Sequence, residues 1–133
     1  MSSPRLERTL AALYGAPLPE VDLVKLKGDA STRSYFRGRP RDRGTAGPET
    51  FIVMQLPADA LHSDEGGAEP ELDRLPFLEI AELLRQRSVP VPRVYAEDLD
   101  AGVLLLEDLG DRTFYSALRE TPRPEWPDLY GRA

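Results

Sequence analysis

The sequence contains no cysteine, and this absence removes several kinds of chemistry at once. Disulfides, thiolate zinc sites and cysteine nucleophiles are excluded, and a reducing cytoplasm is the expected compartment. Histidine is almost as scarce, because His62 is the only one in 133 residues. Any histidine-based triad or multi-histidine metal site would have to use it. Its polar, glycine-containing surroundings favour a solvated loop residue instead.

Long apolar runs and an excess of positive charge are also missing. No apolar stretch is long enough to cross a membrane, and the first ten residues lack the apolar core of a signal peptide. The net charge is −6, from 17 basic and 23 acidic side chains. Sequence-independent nucleic-acid binding needs a basic surface, so neither nucleic acid nor a membrane is an expected partner. A composition of 41% hydrophobic and 30% charged residues is that of an ordinary globular domain.

Hydrophobic periodicity predicts the order of the secondary-structure elements. The predicted elements are a helix over 3–14, strands over 21–27, 33–37 and 51–56, a helix over 72–87, strands over 93–98 and 102–108, and a helix over 111–120. Residues 38–49 and 57–71 are predicted to be a basic and an acidic loop. Three consecutive strands, a helix and a second hairpin favour an α+β fold with an antiparallel or mixed sheet.

Three details of this prediction depend on side-chain spacing. The run 51–56 is compact and rich in β-branched residues, which predicts a strand buried on both faces. The helix over 111–120 is expected to begin at Asp111 or Thr113 as its N-cap. The helix over 72–87 is expected to bury the residues that follow the i, i+3, i+4, i+7 pattern, namely Phe77, Ile80, Ala81 and Leu84.

Four stretches, in this order, are similar to the N-terminal lobe of the aminoglycoside phosphotransferase superfamily. They are GDASTRSYFR (28–37), FIVMQLP (51–57), PFLEIAELLRQRSVPVPRV (76–94) and LLLEDLGDRTF (104–114). These proteins are small-molecule kinases related to protein kinases. The likeness covers residues 20–133, and it is strongest to the bacterial sugar-kinase branch that phosphorylates N-acetylmuramate and N-acetylglucosamine at the anomeric position.

The resemblance implies a protein-kinase-like N-lobe, with about five antiparallel strands and one packed helix, followed by a hinge. On this interpretation residues 1–18 are an N-terminal helix and linker, 19–108 are the N-lobe, and 109–133 are the hinge and the first helical part of a truncated C-lobe. A cytoplasmic enzyme that binds ATP and Mg²⁺ is the function implied.

The resemblance also implies a role for the stretch LLLEDLG (104–110). Backbone groups of Glu107, Asp108 and Leu109 would bind the adenine of ATP, and Leu104 to Leu106 would form the wall of the pocket. The two carboxylates would face solvent or ribose, and Gly110 would let the chain turn. Without the resemblance, the same residues indicate only a strand, a turn and a capped helix.

The stretch GDASTRSYFR would cover the phosphates of the nucleotide. Gly28 permits a close backbone approach, Ser31 and Thr32 can donate hydrogen bonds to phosphate oxygens, and Arg33 offers a planar fork for a phosphate. The stretch is not a Walker P-loop, because it lacks GK[ST] and no helix follows it. A plain hairpin turn with a surface arginine is the alternative interpretation.

Met54 falls where protein kinases place a lysine on the third strand, and Phe77 falls where they place its glutamate partner. Glu79 and Glu82 are nearby alternatives for that glutamate. A buried glutamate without its lysine would be costly, so an apolar contact between Met54 and Phe77 is predicted to replace the ion pair. The cation that binds phosphate would then come from elsewhere, with Arg33 as the first candidate and Arg37 as the second.

The implied reaction transfers the γ-phosphate of ATP to a hydroxyl of a small acceptor, such as N-acetylmuramate or N-acetylglucosamine. No H-x-D-x-x-x-x-N motif follows residue 110. We therefore assign no catalytic residue and no metal ligand to this chain, and we expect both in the missing C-lobe. The alternative is a non-catalytic, pseudokinase-like module that binds a nucleotide or a protein, which Met54 supports. The surface around Trp126 and Tyr130 would then be a protein-binding patch.

Overall fold

A computed structural model describes residues 4–27, 32–42, 44–57 and 76–132, and these residues form the predicted elements in the predicted order. The elements are α1 (Pro4–Tyr14), β1 (Val21–Lys25), β2 (Ser34–Pro40), β3 (Phe51–Gln55), α2 (Pro76–Gln86), β4 (Val94–Asp98), β5 (Val103–Glu107), α3 (Phe114–Glu120), a 3₁₀ turn (Arg123–Glu125) and α4 (Trp126–Arg132). Over the described ranges, none of the helices is long and apolar enough to span a bilayer.

The strands form one antiparallel sheet in the order β1-β2-β3-β5-β4. The strands β1, β2 and β3 follow one another as a meander. The chain then passes through α2 and returns along the far edge as β4, so that β5 fills the place beside β3. This topology confirms the predicted α+β class and the five-stranded antiparallel sheet of a kinase-like N-lobe.

Both faces of the central strands β3 and β5 are buried. Side chains alternate between the two faces along each strand, so one strand contributes to both. On the α1 face, Phe51 and Val53 of β3 pack with Leu6 and Leu10 of α1. On the α2 face, Met54 packs with residues of β5 and α2. The prediction that the run 51–56 is buried on both faces is confirmed. The sequence predicted one packed helix, whereas the structure packs α1 on the sheet as well as α2.

The buried face of α2 differs from the prediction. Leu78 and Ala81 are buried, whereas Ile80 is 57% exposed, so the prediction for Ile80 is wrong. The helix is apolar on more than one side, since Leu83 is also half exposed. Hydrophobic periodicity alone is therefore compatible with two buried faces of α2. In the structure, the face that contains Leu78 packs on the sheet.

The strand β2 continues three residues beyond its predicted end at Arg37. Gly38 and Pro40, which were assigned to the basic loop, are buried and pair with β1. Gly38 fits because its missing side chain leaves room for the ring of Phe51, which lies against it. Pro40 is tolerated because it is the last residue of the strand.

The segment after β5 forms two short helices that are joined by side-chain hydrogen bonds. Thr113, one of the two predicted N-caps, forms a capping box with Ser116, with N–H to hydroxyl distances of 3.1 and 3.0 Å. At the other end of α3, Trp126 Nε1 donates to the carbonyl oxygens of Leu118 at 3.2 Å and Thr121 at 3.0 Å. The start of α4 is thereby fixed to the end of α3.

Candidate functional site

One row of cross-strand partners crosses the α2 face of the sheet and ends at the predicted hinge. We call it the hinge row, and it consists of Val24, Arg37, Ile52, Leu106 and Val94. Residues opposite each other in an antiparallel pair project on the same face, so these five side chains are neighbours. Exposure falls from 63% at Val24 to 6% at Leu106. The row is therefore open at the β1 edge and closed beside the hinge.

The neighbouring row lies under α2 and contains Met54. Met54 and its partner Leu104 are fully buried, and Phe77 packs half-buried against the same cluster. This arrangement agrees with the predicted apolar replacement of the lysine–glutamate pair. It also leaves no surface of the Met54 or Leu104 side chain that a nucleotide could touch, so Met54 and Leu104 cannot contact ATP as the sequence predicted.

Leu105 cannot form the wall of a pocket on the α2 face, and this part of the sequence prediction is wrong. Its side chain is fully buried on the opposite face, in the cluster that contains Leu6 and Leu10 of α1. The reason is the period-2 alternation of a strand, which sends Leu104 and Leu106 one way and Leu105 the other.

Glu107, the last residue of β5, is bound to the start of β4. Its N–H donates to the carbonyl oxygen of Arg93 at 2.8 Å, and its Oε2 accepts from Arg93 N–H at 3.2 Å. The Glu107 side chain borders an open groove of about 690 Å³ next to the hinge. The groove is otherwise lined by Arg85, Ser88, Val89, Pro90, Val91, Arg93 and Val94.

The next two residues leave the sheet with their backbone groups open. Strand pairing ends at Glu107, and no turn hydrogen bond within the described ranges uses the backbone N–H or C=O of Asp108 or Leu109. Leu109 is 68% exposed. Gly110 follows with a φ of 82°, in the left-handed region that favours glycine. Donors and acceptors are thus available beside the hinge row.

The carboxylate of Asp108 is bound by Arg37, and we call Arg37, Asp108 and Asp111 the hinge clamp. Arg37 Nε donates to Asp108 Oδ2 at 2.8 Å, and Nη2 donates to Oδ1 at 3.1 Å. Arg37 Nη1 donates to Asp111 Oδ2 at 3.0 Å. Gly110 N–H donates to Asp108 Oδ1 at 2.9 Å. The expectation that both carboxylates at this strand end face solvent or ribose is wrong for Asp108, whose side chain is only 6% exposed.

The electrostatics of the clamp favour the charged forms of both partners. Burial alone would raise the pKa of Asp108, but hydrogen bonds from Arg37, from Gly110 N–H and from Thr50 outweigh it, and the pKa is lowered. The hydrogen bond to Asp108, followed by that to Asp111, raises the pKa of Arg37. The clamp was not found from the sequence, because its members are 71 and 74 positions apart. Strand register would have placed Arg37 in the same row as Leu106, next to the hinge.

The predicted phosphate-covering turn is described only at its end. Gly28 and Ser31 lie outside the described residues, and Thr32 is exposed. Arg33 is half-buried, with its Cζ 5.9 Å from the centroid of the Phe77 ring, within cation–π range. The first candidate cation therefore lies where the turn meets α2, whereas Arg37, the second, is bound in the clamp. Phosphate binding by Thr32 and Arg33 stays a prediction.

Known proteins share this sequence pattern. The model of the phosphotransferase enzyme family matches residues 22–133. Three bacterial relatives are each named N-acetylmuramate/N-acetylglucosamine kinase. The Pseudomonas aeruginosa protein is 37% identical over 76% of this chain and 25% of its own length. The Pseudomonas putida protein is 33% identical over 73% and 24%. The Caulobacter vibrioides protein is 32% identical over 100% and 39%. The chain thus spans between about a quarter and two-fifths of these relatives.

Proposed function

Since the chain belongs to the phosphotransferase enzyme family, we propose that it is the ATP-binding lobe of a small-molecule kinase. The observation that carries this proposal is the hinge row, whose apolar residues Ile52 and Leu106 lie between Arg37 and the open backbone of Asp108 and Leu109. Adenine is a flat apolar ring with a donor and acceptors on its edge. Such a ring needs an apolar face to stack on and backbone groups at one side to read its edge.

The triphosphate would extend from the hinge row toward the turn between β1 and β2. Thr32 would offer its hydroxyl and backbone N–H to phosphate oxygens, and Gly28 and Ser31 would belong to the same turn. Arg33 would supply the positive charge that Met54 cannot, because a methionine has neither charge nor donor. Its position over Phe77 would keep the guanidinium near the turn.

The acceptor we propose is an amino sugar of the kind named by the relatives, N-acetylmuramate or N-acetylglucosamine. A sugar hydroxyl oxygen would bond to the γ-phosphorus while the bond from that phosphorus to the bridging β–γ oxygen breaks, leaving ADP. Catalysis of this kind rests on positioning and charge neutralisation.

No cluster of three metal-ligating side chains occurs in the described part of the chain. We propose that the base, which would accept the proton of the sugar hydroxyl, and the Mg²⁺ ligands belong to the C-lobe that the resemblance implies. Reading the coding DNA past Ala133 for an H-x-D-x-x-x-x-N motif tests this.

Calorimetric titration of the chain with ATP and with adenosine tests the binding proposal. Val24→Glu adds a carboxylate at the open end of the hinge row, where the side chain is already 63% exposed. We expect affinity for ATP to fall by about tenfold or more, since 1.4 kcal/mol of lost binding is a factor of ten. Leu83→Glu is the matched control, because Leu83 is 50% exposed on α2 away from the row. Equal losses in both variants, or no binding by the unmodified chain, would contradict the proposal.

The burial of Met54 favours a second candidate, a non-catalytic module of the same fold. In that case the exposed surface after the hinge would bind a protein, with Tyr130 58% exposed and packed edge-to-face on Phe114 at 5.0 Å. Thermal melting distinguishes the two candidates. A melting temperature that rises with ATP supports the kinase lobe. A melting temperature that is unchanged by ATP and by adenosine supports the protein-binding module.

A further inference from the structure

The hinge clamp differs from the other arginine–carboxylate contacts of the structure in burial. Arg37 is 23% exposed and Asp108 is 6% exposed at the side chain. Arg41, four positions along, also holds two carboxylates, with Nε 2.7 Å from Asp22 and Nη1 2.8 Å from Glu20. Its side chain is 60% exposed, however, and those of its partners Asp22 and Glu20 are 57% and 79% exposed. A surface pair of that kind contributes little, whereas a sheltered two-point contact fixes geometry.

The clamp joins three parts of the chain that are separate in sequence. Arg37 belongs to β2, in the centre of the hinge row. Asp108 is the first residue past β5, and Asp111 stands two residues before the N-cap of α3. The guanidinium donates from Nε, Nη1 and Nη2 to these two carboxylates. One side chain of the sheet thus holds both ends of the turn at Leu109 and Gly110.

We propose that Arg37 is a positioning residue for nucleotide binding, which acts by holding the backbone of Asp108 and Leu109 beside the hinge row. This inference rests on the proposed function, because it assigns to that backbone the recognition of the base. Gly110 has a positive φ of 82°, and its N–H donates to the same Asp108 carboxylate at 2.9 Å. Without Arg37, the buried Asp108 carboxylate keeps its hydrogen bonds from Gly110 N–H and Thr50 but loses its charged partner on β2.

A positioning role and a phosphate-binding role for Arg37 predict different binding results. A positioning residue changes recognition of the base and not of the phosphates, so adenosine and inorganic tripolyphosphate report on different parts of the site. Three of the five N–H donors of Arg37 are engaged by carboxylates, whose charges neutralise the guanidinium. The positioning role therefore assigns no phosphate contact to Arg37, and Arg33 remains the predicted phosphate-binding cation.

The experiment combines amide hydrogen exchange over residues 106–113 with calorimetric titration of adenosine and of tripolyphosphate. The variants are Arg37→Met, which keeps an unbranched apolar stem and removes the charge and the donors, and Arg37→Lys, which keeps one charge without the fork. Arg41→Met is the matched control, since it breaks a two-carboxylate contact outside the hinge. Asp111→Asn is the milder variant in case Arg37→Met does not fold, because Asp111 is 82% exposed.

In Arg37→Met we expect exchange at Gly110, whose N–H donates to Asp108 Oδ1, to accelerate about tenfold or more. Adenosine affinity should fall about tenfold, as for one hydrogen bond lost. Tripolyphosphate affinity stays the same. Arg37→Lys should retain part of the slow exchange and part of the adenosine affinity. Asp111→Asn should accelerate exchange by a smaller factor. Arg41→Met should change neither the exchange nor the adenosine affinity. Unchanged exchange at the hinge in Arg37→Met, or in Asp111→Asn where only that variant folds, overturns the clamp.

A loss of tripolyphosphate affinity as large as that for adenosine would make Arg37 a phosphate ligand and overturn the positioning role. If the unmodified chain binds neither probe, the proposed function fails separately. Because hydrogen exchange needs no ligand, it still decides whether Arg37 holds the hinge.

Discussion

Gly38→Ala is a one-methyl change whose effect depends on the packing of a single ring. A Cβ built on Gly38 would fall inside van der Waals distance of three ring atoms of Phe51, the farthest of which, Cε1, would be 2.9 Å away. Phe51 is fully buried and packs on Tyr14 with ring centroids 5.8 Å apart. The ring therefore has a neighbour behind it and cannot move aside freely.

The magnitude follows from two opposing terms. Forcing an extra methyl into a packed core costs about 1–3 kcal/mol of unfolding free energy. Replacing glycine by alanine, at a position without positive φ, returns about 0.4–1 kcal/mol by restricting the unfolded chain. We expect a net loss of about 1–2 kcal/mol, seen as a melting temperature lower by roughly 3–8 °C for a domain of this size.

Urea unfolding followed by circular dichroism measures this loss, and Gly131→Ala is the matched control. Gly131 lies in α4 with nothing within 4 Å of its would-be Cβ, so the same change there stabilises the helix by up to about 1 kcal/mol. Phe51→Leu combined with Gly38→Ala should be less damaging than the sum of the two single changes, because the smaller side chain vacates the space. A neutral or stabilising Gly38→Ala, or strictly additive effects, would refute the packing argument.

Two further predictions concern pH. The pKa of Asp108 is lowered in the folded chain, so its contribution to stability is present above the ordinary value of 3.8 and is lost as pH falls below it. The melting-temperature gap between the unmodified chain and Asp108→Asn should shrink between pH 5 and pH 3, and a constant gap would contradict this. Burial, and then the nearby Tyr95, raise the pKa of Tyr14 from 10.0 to about 12. Absorbance titration should show that Tyr14 ionises near pH 12. The stability that the Tyr14 hydroxyl contributes, measured against Tyr14→Phe, should be lost as pH rises from 10 through about 12.

Much of the fold could be predicted from the sequence because it depends on local signals. The order of elements, the doubly buried strand at 51–56 and the Thr113 cap follow from spacing and from capping chemistry. The resemblance to the aminoglycoside phosphotransferase superfamily is confirmed by the family match over residues 22–133. Errors arose where a local pattern allowed two answers, as for the buried face of α2 around Ile80, or where strand alternation was not applied, as for Leu105.

The candidate site was predictable only in part, because its decisive contacts are not local. The resemblance predicts a hinge at Glu107 to Leu109, but no local pattern predicts the side-chain partners of these residues. Arg37 was considered only as a cation for phosphate, and the fact that it binds Asp108 follows from strand register. A register requires the tertiary pairing of β2 with β3 and β5, which no spacing within one segment reveals.

The position of the only tryptophan has a spectroscopic consequence. Trp126 lies past the hinge, half-buried, with its indole N–H bound to two carbonyl oxygens of the α3 end and with Arg123 Cζ 5.5 Å from its ring centroid. The described strands contain tyrosine and phenylalanine but no tryptophan. Tryptophan fluorescence therefore reports only on the segment that contains Trp126, and the sheet does not contribute to it. Changes in the environment of this segment can therefore be followed by fluorescence without an attached dye.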